Sequence, residues 1–584
     1  MTQDEAGRIP HLSIENIPVF DRRFFESDYV LSRIGGGAIG GKASGLAFAH
    51  QVVRELFPEG SIDGMEVSIP RFVVIGTDVY DAFMERNELY EAAKEDIPDE
   101  RMAMAFLRAE FPTEFVGDIR ALVGSVHSPL AARSSSCLED ALYEPFAGVY
   151  GTKMIPNNQP DTDTRYRKLI EAIKFVYSSA SFREAKGYLR LTGRSAAEEK
   201  MAVIIQEVLG SRHGDRYYPN VSGVGRSYNF YPVGSAEPEE GVVDLALGLG
   251  KTIVDGGQAW TYSPAHPRVS PPFTTKELLR HTQTEFWAVN LGKPSAYDPV
   301  KETEYLIPGG LVDAEQDDVL SSITSTYVAA NDRLVMGMGV PGSRVLDFAP
   351  LLRLGTIPFN EVVTRVLKGC RDRLGAAVEI ELAVVIEKSR ARFGLLQVRP
   401  MVVSTEKIEI SQAELTDERA LLASVNTLGN GTNSELTDII YVRPDVFAKE
   451  HTRAIAAEID QLNREAQKEN RSYVLMGFGR WGSSDPWLGI PVDWGNISGA
   501  RVIVEATLPD MNVEMSQGSH FFHNITSLQI PYLNVAFDGS YRIDWVWLEK
   551  QRVIAQTEFV RYVRADAPLT VRLDGRSRRG VILR

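Results

Sequence analysis

The chain has 584 residues, enough for two to four domains with sizeable cores. Its 44% hydrophobic and 24% charged content is that of a soluble globular protein. With 63 basic and 78 acidic residues the net charge is −15, which excludes a broad nucleic-acid footprint and an anionic membrane surface as partners but not a local basic pocket.

Residues 45–57 place Leu46, Ala49, Val53 and Leu56 on one stripe, which predicts a helix just after a glycine-rich loop. Such a helix can offer its first amides to an anion. Ile69 to Ile75 reads as a buried strand, and Thr77 or Asp78 as the cap of a second helix. Residues 165–190 are predicted helical, and Met201 to Val208 a β-branched strand. Residues 219–262 mix short strands with Gly and Pro turns. Residues 314–336 and 360–375 read as helices. Val378 to Ile386 and Gly394 to Val403 read as strands joined by the basic turn Lys388 to Arg392. Residues 404–436 are polar and predicted to be a linker with a short helix. Residues 445–470 read as an amphipathic helix, followed by a dense block from Tyr473 to about Tyr541. The tail after Ala565 carries five arginines and reads as a surface strand or mobile end. The two cysteines, Cys137 and Cys370, imply no disulfide framework, and with the acidic, polar start at Met1 to Glu5 they predict a cytoplasmic protein. The sequence holds no CxxC or HExxH pattern and no apolar run long enough to cross a bilayer.

Three segments carry phosphate chemistry. Gly35 to Lys42 is a glycine-rich loop ending in Gly40-Gly41-Lys42. Arg133 stands beside Ser134, Ser135 and Ser136, ahead of Phe146-Ala147-Gly148. Arg399 closes Gln397-Val398-Arg399-Pro400. Arginine offers a planar, permanently charged fork suited to bidentate phosphate contacts. A Walker A reading of the loop fails at Ala43, where a hydroxyl should reach the metal, and Gly250-Lys251-Thr252 fails at Leu245.

In their order along the chain, these segments resemble the N-terminal nucleotide-binding domain of the pyruvate phosphate dikinase and phosphoenolpyruvate synthase family. The resemblance covers roughly residues 30–403. Its motifs are Gly40-Gly41-Lys42, Pro70 to Val74, Arg133 to Gly148, Val203 to Gln206, Gly248 to Lys251, Glu379 to Leu382 and Gln397 to Pro400. It implies an α/β (α+β) fold: an ATP-grasp-like, two-lobed domain. It also implies ATP and Mg²⁺ as cofactors. By resemblance, Gly40, Gly41, Lys42, Arg133, Gly250 and Arg399 would hold ATP, Gln206 and Glu207 would lie near adenine and ribose, and Glu381 and Gln397 would face magnesium. Phosphoryl transfer needs mostly positioning and charge neutralisation, and Mg²⁺ accepts hard oxygen donors such as a carboxylate and an amide. On a strand, Gln397 and Arg399 share a face. Glu381 lies in an apolar strand where an unpaired carboxylate would be costly, and Glu379 takes its place if the register slides by two. The chain departs from the family at Lys251 and Leu382, which stand where it has glutamate and tryptophan. It also lacks the T-S-H signature, and the residues beyond 403 are too few for a barrel.

A second loop, Gly477 to Pro486, sets glycines around Arg480 and could cradle an anion. Ser516 to Asn524 follows, with His520 and His523 three residues apart, on one side of a helix. Neutral imidazole is nucleophilic near pH 7, which makes His520 a candidate phosphoryl acceptor or base. Each residue also has a structural reading: Arg133 and Arg399 as ion-pair residues, Gln206 as a strand-edge group, both histidines as core, and Trp481, Trp487 and Trp494 as a core cluster.

The sequence therefore predicts an extension (1–29), two lobes of an ATP-grasp-like domain (30–200 and 201–403), a linker (404–440) and a smaller α/β domain (441–584). The expected activity is Mg²⁺-dependent phosphoryl transfer from ATP to a histidine or a small-molecule acceptor, with Arg133, Arg399 and His520 in catalytic roles. A nucleotide-responsive subunit of a larger complex and a direct small-alcohol kinase are the rivals. The expected partners are a nucleotide and an unidentified acceptor, with neither nucleic acid nor membrane. Homo-oligomer and partner-subunit states both stay open.

Overall fold

The computed structural model describes Ile9 and residues 14–95, 97–136, 148–191, 199–232, 236–269, 274–294, 296–387, 390–403, 408–483, 485–509, 511, 519–575 and 577–584. Its contacts divide the chain into two compact units. The first is built from the chain up to Lys186, from Arg194 to Ile253 and from Gln258 to Met401. The second takes Val402 to Arg584 together with Gly187–Gly193 and Val254–Gly257.

The first unit carries two principal sheets. In one, β1 (Leu31–Ile34), β2 (Phe72–Ile75), β3 (Leu130–Ser136), β4 (Thr152–Ile155) and β5 (Met201–Glu207) are ordered β1-β2-β5-β3-β4. β1 and β2 run parallel and the other pairs antiparallel. In the other, β6 (Val221–Arg226), β7 (Val242–Ala246), β8 (Trp260–Tyr262), β9 (Val378–Glu387) and β10 (Arg390–Pro400) are ordered β8-β7-β6-β9-β10, and Met65–Ser68 and Ser61–Ile62 extend the β10 edge. Smaller sheets of four and three strands complete the unit.

Helix α1 (Gly40–Leu56) ties the two principal sheets together. Leu46, Ala49 and Val53 are buried, and Leu56 packs against the same core. The stripe is made of residues at helical spacing with one apolar face. Gly45 lies so close to β10 that a Cβ would stand 2.7 Å from the Val398 carbonyl oxygen. The helix starts earlier than the stripe predicts, so Gly40, Gly41 and Lys42 form its first turn rather than a preceding loop. Helix α2 (Thr77–Arg86) is capped by Gly76 without a side-chain bond. Thr77 is instead the first helical residue, and its hydroxyl accepts from the Ala38 amide at 2.8 Å, pinning the glycine loop.

Residues 314–336 depart most from expectation. A short helix, Leu311–Gln316, is followed by left-handed Asp318 (φ 57°) and then the strands Thr324–Val328 and Arg333–Met336. The left-handed break and the β-branched run outweigh the apolar spacing. The predicted 165–190 helix is two, α3 (Thr162–Ser179) and Arg183–Leu191, whereas Phe359–Leu374 (α4) forms as expected. Arg390, Ala391 and Arg392 belong to β10 itself, and Lys388 and Ser389 lie outside the described residues.

The second unit is built on a nine-stranded sheet. At its centre β11 (Gly431–Val442), β12 (Tyr473–Phe478), β13 (Ala500–Ala506) and β14 (Tyr532–Val535) lie parallel in that order. Helix α5 (Thr452–Lys468) connects β11 to β12, and α6 (His520–Ser527) lies between β13 and β14. The predicted linker, 404–436, contains its short helix at Gln412–Leu415, but also the strands Ala420–Ser424 and Thr427–Leu428 and the start of β11. The arginine-rich tail is a core component: β15 (Val560–Asp574) pairs with β11, and Leu569, Val571 and Leu573 are buried. Period-two alternation turns Arg572 outward to Glu414 and the aliphatics inward.

Candidate functional site

In the first unit the site is assembled where α1 meets β3. Gly40 (φ 76°) approaches β3 so closely that a Cβ would stand 1.8 Å from the Ser135 carbonyl oxygen. A side chain is excluded there by both space and conformation. Two bonds fix the approach: the Ala43 amide donates to Ser135 Oγ at 3.0 Å, and Ser135 Oγ donates to the Ile39 carbonyl at 2.7 Å. Lys42 Nζ then reaches Ser134 Oγ at 3.0 Å and is largely buried.

One residue before Ser134, Arg133 draws three strands together. Its Nη2 donates to Gln397 Oε1 at 2.8 Å and lies 3.3 Å from Glu381 Oε2. Its Nη1 donates to the Leu396 carbonyl at 2.7 Å and to Gln206 Oε1 at 3.2 Å. The Arg133 and Glu381 side chains keep 12% and 16% exposure, so the cluster stays reachable from solvent. Glu381 and Gln397 are direct cross-strand partners in the β9–β10 hairpin, which is why their oxygens converge. Gln206 also donates to the Pro70 carbonyl, and Glu207, turned to the other face of β5, accepts from Ser128.

Arg399 shares a face with Gln397 but has a different partner. Its Nε donates to Glu379 Oε1 at 2.6 Å, and Arg226 Nη2 lies 2.5 Å from Glu379 Oε2. These three side chains are at most 2% exposed. Arg226 belongs to none of the sequence motifs, and Glu379 enters the sequence reading only as the slipped-register alternative. The opposed positions of Glu379 and Arg399, counted outward along the hairpin, carried the signal. Gly250 sits in the turn before Lys251–Val254, over β6, where Ser222 Oγ donates to the Gly248 carbonyl at 2.8 Å.

The hard oxygens Glu381 Oε2 and Gln397 Oε1 share the Arg133 cation. They fit the donor set that Mg²⁺ takes from protein, one carboxylate and one amide, with the remaining places filled by phosphate oxygens and water. Among the described residues no group of three or more His, Cys, Asp or Glu is placed to hold a metal by itself. Cys137, Phe146 and Ala147 lie outside the described residues, as do Ser516, Gln517 and Gly518.

In the second unit, Arg480 follows β12 and donates from Nη1 to the Gly256 carbonyl at 3.0 Å. His520 opens α6 half-buried, and His523 is buried at 1% exposure. Ser519 caps the helix, accepting from the Phe522 amide at 3.1 Å. Trp481 and Trp494 are buried, but Trp487 is 68% exposed. It stands at the outer turn after Asp485, whose Oδ1 accepts from its amide, and this turn keeps the indole out of the core. Among the described residues no helix is long and apolar enough to cross a membrane.

No curated protein matches the chain. Residues 37–420, more than half of its length, match the family described as pyruvate phosphate dikinase, AMP/ATP-binding domain. That domain is ATP-grasp-like and binds nucleotide in an ATP-utilising phosphotransferase family. With its motif residues set on the helix start and strands described above, the chain belongs to the pyruvate phosphate dikinase AMP/ATP-binding domain family.

Proposed function

We propose that the protein is an Mg²⁺-dependent phosphotransferase that takes its phosphoryl group from ATP bound in the first unit. The observation that carries this reading is the convergence of Arg133 with Glu381, Gln397 and Gln206 beside the Lys42 helix turn. Arg133 supplies a fork for two phosphate oxygens and Lys42 a compact point charge. Glu381 and Gln397 would hold Mg²⁺, whose contribution there is to neutralise phosphate charge. Arg133, when it leaves those two oxygens, can turn its fork to a phosphate. Arg399 and Glu379 brace β10 and β9 beneath the cluster, which makes Arg399 a positioning residue in this reading. The acceptor is a histidine, with His520 the candidate, or a small molecule.

Calorimetry with ATP and Mg²⁺ tests the binding step. Arg133→Gln should weaken uptake about 10- to 100-fold, from the roughly 1.5–3 kcal/mol of a hydrogen bond to a charged group. ATP labelled at the β or γ position then follows the transfer: acid-labile, base-stable label on the protein marks a phosphohistidine, and label in a small product marks direct transfer. Absence of Mg²⁺-dependent ATP uptake by the native chain would overturn the reading.

A further inference from the structure

The second unit contains a pocket whose lining shares no residue with the Lys42 and Arg133 cluster. It lies at the carboxyl ends of β12 and β13, the edge of a parallel sheet where α/β folds place ligands. Its cavity volume is about 20 Å³, and it opens to solvent at its mouth. Arg480, Ser483, Ser519, Glu505 and Tyr532 bring polar groups to it, and Trp481 with the start of α6 brings aromatic wall.

The loop that presents Arg480 is held rigid. The Gly479 amide donates to the Ala506 carbonyl at 3.0 Å, the Arg480 amide to Leu488 at 2.9 Å and the Gly482 amide to Ile490 at 3.0 Å. Gly489 passes so close that a Cβ would meet the Arg480 carbonyl oxygen at 1.8 Å, and Gly482 (φ 74°) lies against the Phe521 ring. The backbone that carries Arg480 is therefore fixed, and its guanidinium is tied to the Gly256 carbonyl; such preorganisation lowers the cost of binding.

Glu505 is the unusual member. It is the penultimate residue of β13, inside an apolar run, and 4% exposed. Its Oε1 accepts from the Trp481 amide at 2.8 Å and its Oε2 from the Tyr532 hydroxyl. Arg480 and Asn534 also lie near it, and both favour the carboxylate. Burial nevertheless outweighs all four and pushes the Glu505 carboxyl up to about 7. With Glu505 ionised, an entering anion meets a second negative charge in the pocket, which low-polarity surroundings penalise. A proton on Glu505 removes that repulsion.

We propose that this pocket binds a small oxyanion, held by the Arg480 guanidinium and the Ser519 hydroxyl, and that Glu505 takes up one proton as the anion enters. The chemical class is a small phosphate ester or carboxylic acid whose organic part meets the aromatic wall. The site stands on the second unit alone and needs no nucleotide.

Sulfate is the probe, because it does not titrate in the relevant range. Isothermal titration of the full chain without nucleotide, in two buffers of different ionisation enthalpy, reads affinity and proton uptake together. Binding should be about tenfold weaker at pH 8 than at pH 6, the ratio set by the protonated fraction of a group at about 7. Nearly one proton should be taken up per sulfate at pH 8. Arg480→Gln should abolish this proton-coupled binding, and Glu505→Gln should bind equally at both pH values without proton uptake. Arg133→Gln should leave the proton-coupled binding unchanged, which separates this site from any sulfate held in the nucleotide cluster. Methyl phosphate and acetate in the same titration distinguish a tetrahedral from a planar anion. Binding by the native chain that is pH-independent and releases or takes up no proton would overturn the proposal, as would no saturable binding at either pH.

Discussion

Replacing Glu379 by glutamine removes the carboxylate that Arg399 and Arg226 share. All three side chains are at most 2% exposed, so solvent cannot screen the charges that remain. Asp244 keeps its Oδ2 3.6 Å from Arg226 Nη1. Breaking a buried pair by removing one partner costs about 3–5 kcal/mol, because it strands a desolvated charge. For a unit of this size, roughly 1 °C of melting temperature is lost per kcal/mol, so Glu379→Gln should lower the first unit's transition by about 3–6 °C. Thermal unfolding followed by calorimetry, with and without the substitution, is the assay. Arg399→Met combined with Glu379→Gln should recover part of the loss, since the pair is then removed rather than split. A shift below about 1 °C for Glu379→Gln alone would refute the reasoning that this trio braces the hairpin through buried charge.

Two further substitutions probe other parts of the molecule. The Glu505 carboxyl is held at about 7 in the folded chain against an ordinary value of 4.5, so the folded state binds more protons between those values. Stability of the second unit should therefore fall as pH rises through that window and level off above it, by at most about 3 kcal/mol. Glu505→Gln should flatten this slope in denaturant titrations at pH 5 and pH 8; an unchanged slope would assign it to other groups. Gly40→Ala puts a methyl group 1.8 Å from the Ser135 carbonyl oxygen at a φ of 76°. It should cost about 2 kcal/mol or more and weaken ATP uptake, because the α1–β3 junction must open. Wild-type stability in this variant would show that the junction is slack.

Local spacing made much of the first unit legible. The stripe on α1, the β-branched run of β5 and the two-residue step from Gln397 to Arg399 follow from the periods of helix and strand. Partners were not legible. Arg133 and Gln397 are 264 positions apart, and which oxygen meets which guanidinium depends on how β3 lies against the β9–β10 hairpin. Two arginines of similar sequence setting thus have different surroundings: Arg133 in a reachable cluster with Glu381, Arg399 sealed against Glu379. Glu505 carries the same sequence signal as Glu381, an acid within an apolar strand, but no family motif surrounds it.

By itself, the amino-acid order determined the family, the α/β class and the glycine positions where a backbone must pass close to another. These are set by steric limits and short-range periodicity, which act between near neighbours. Only the tertiary structure decided that the 324–336 region is strand, that the arginine-rich tail is a core strand, that Trp487 faces solvent and that Glu505 shares a pocket with Arg480. Each of those depends on long-range pairing, where burial and hydrogen-bond completion outweigh local preference.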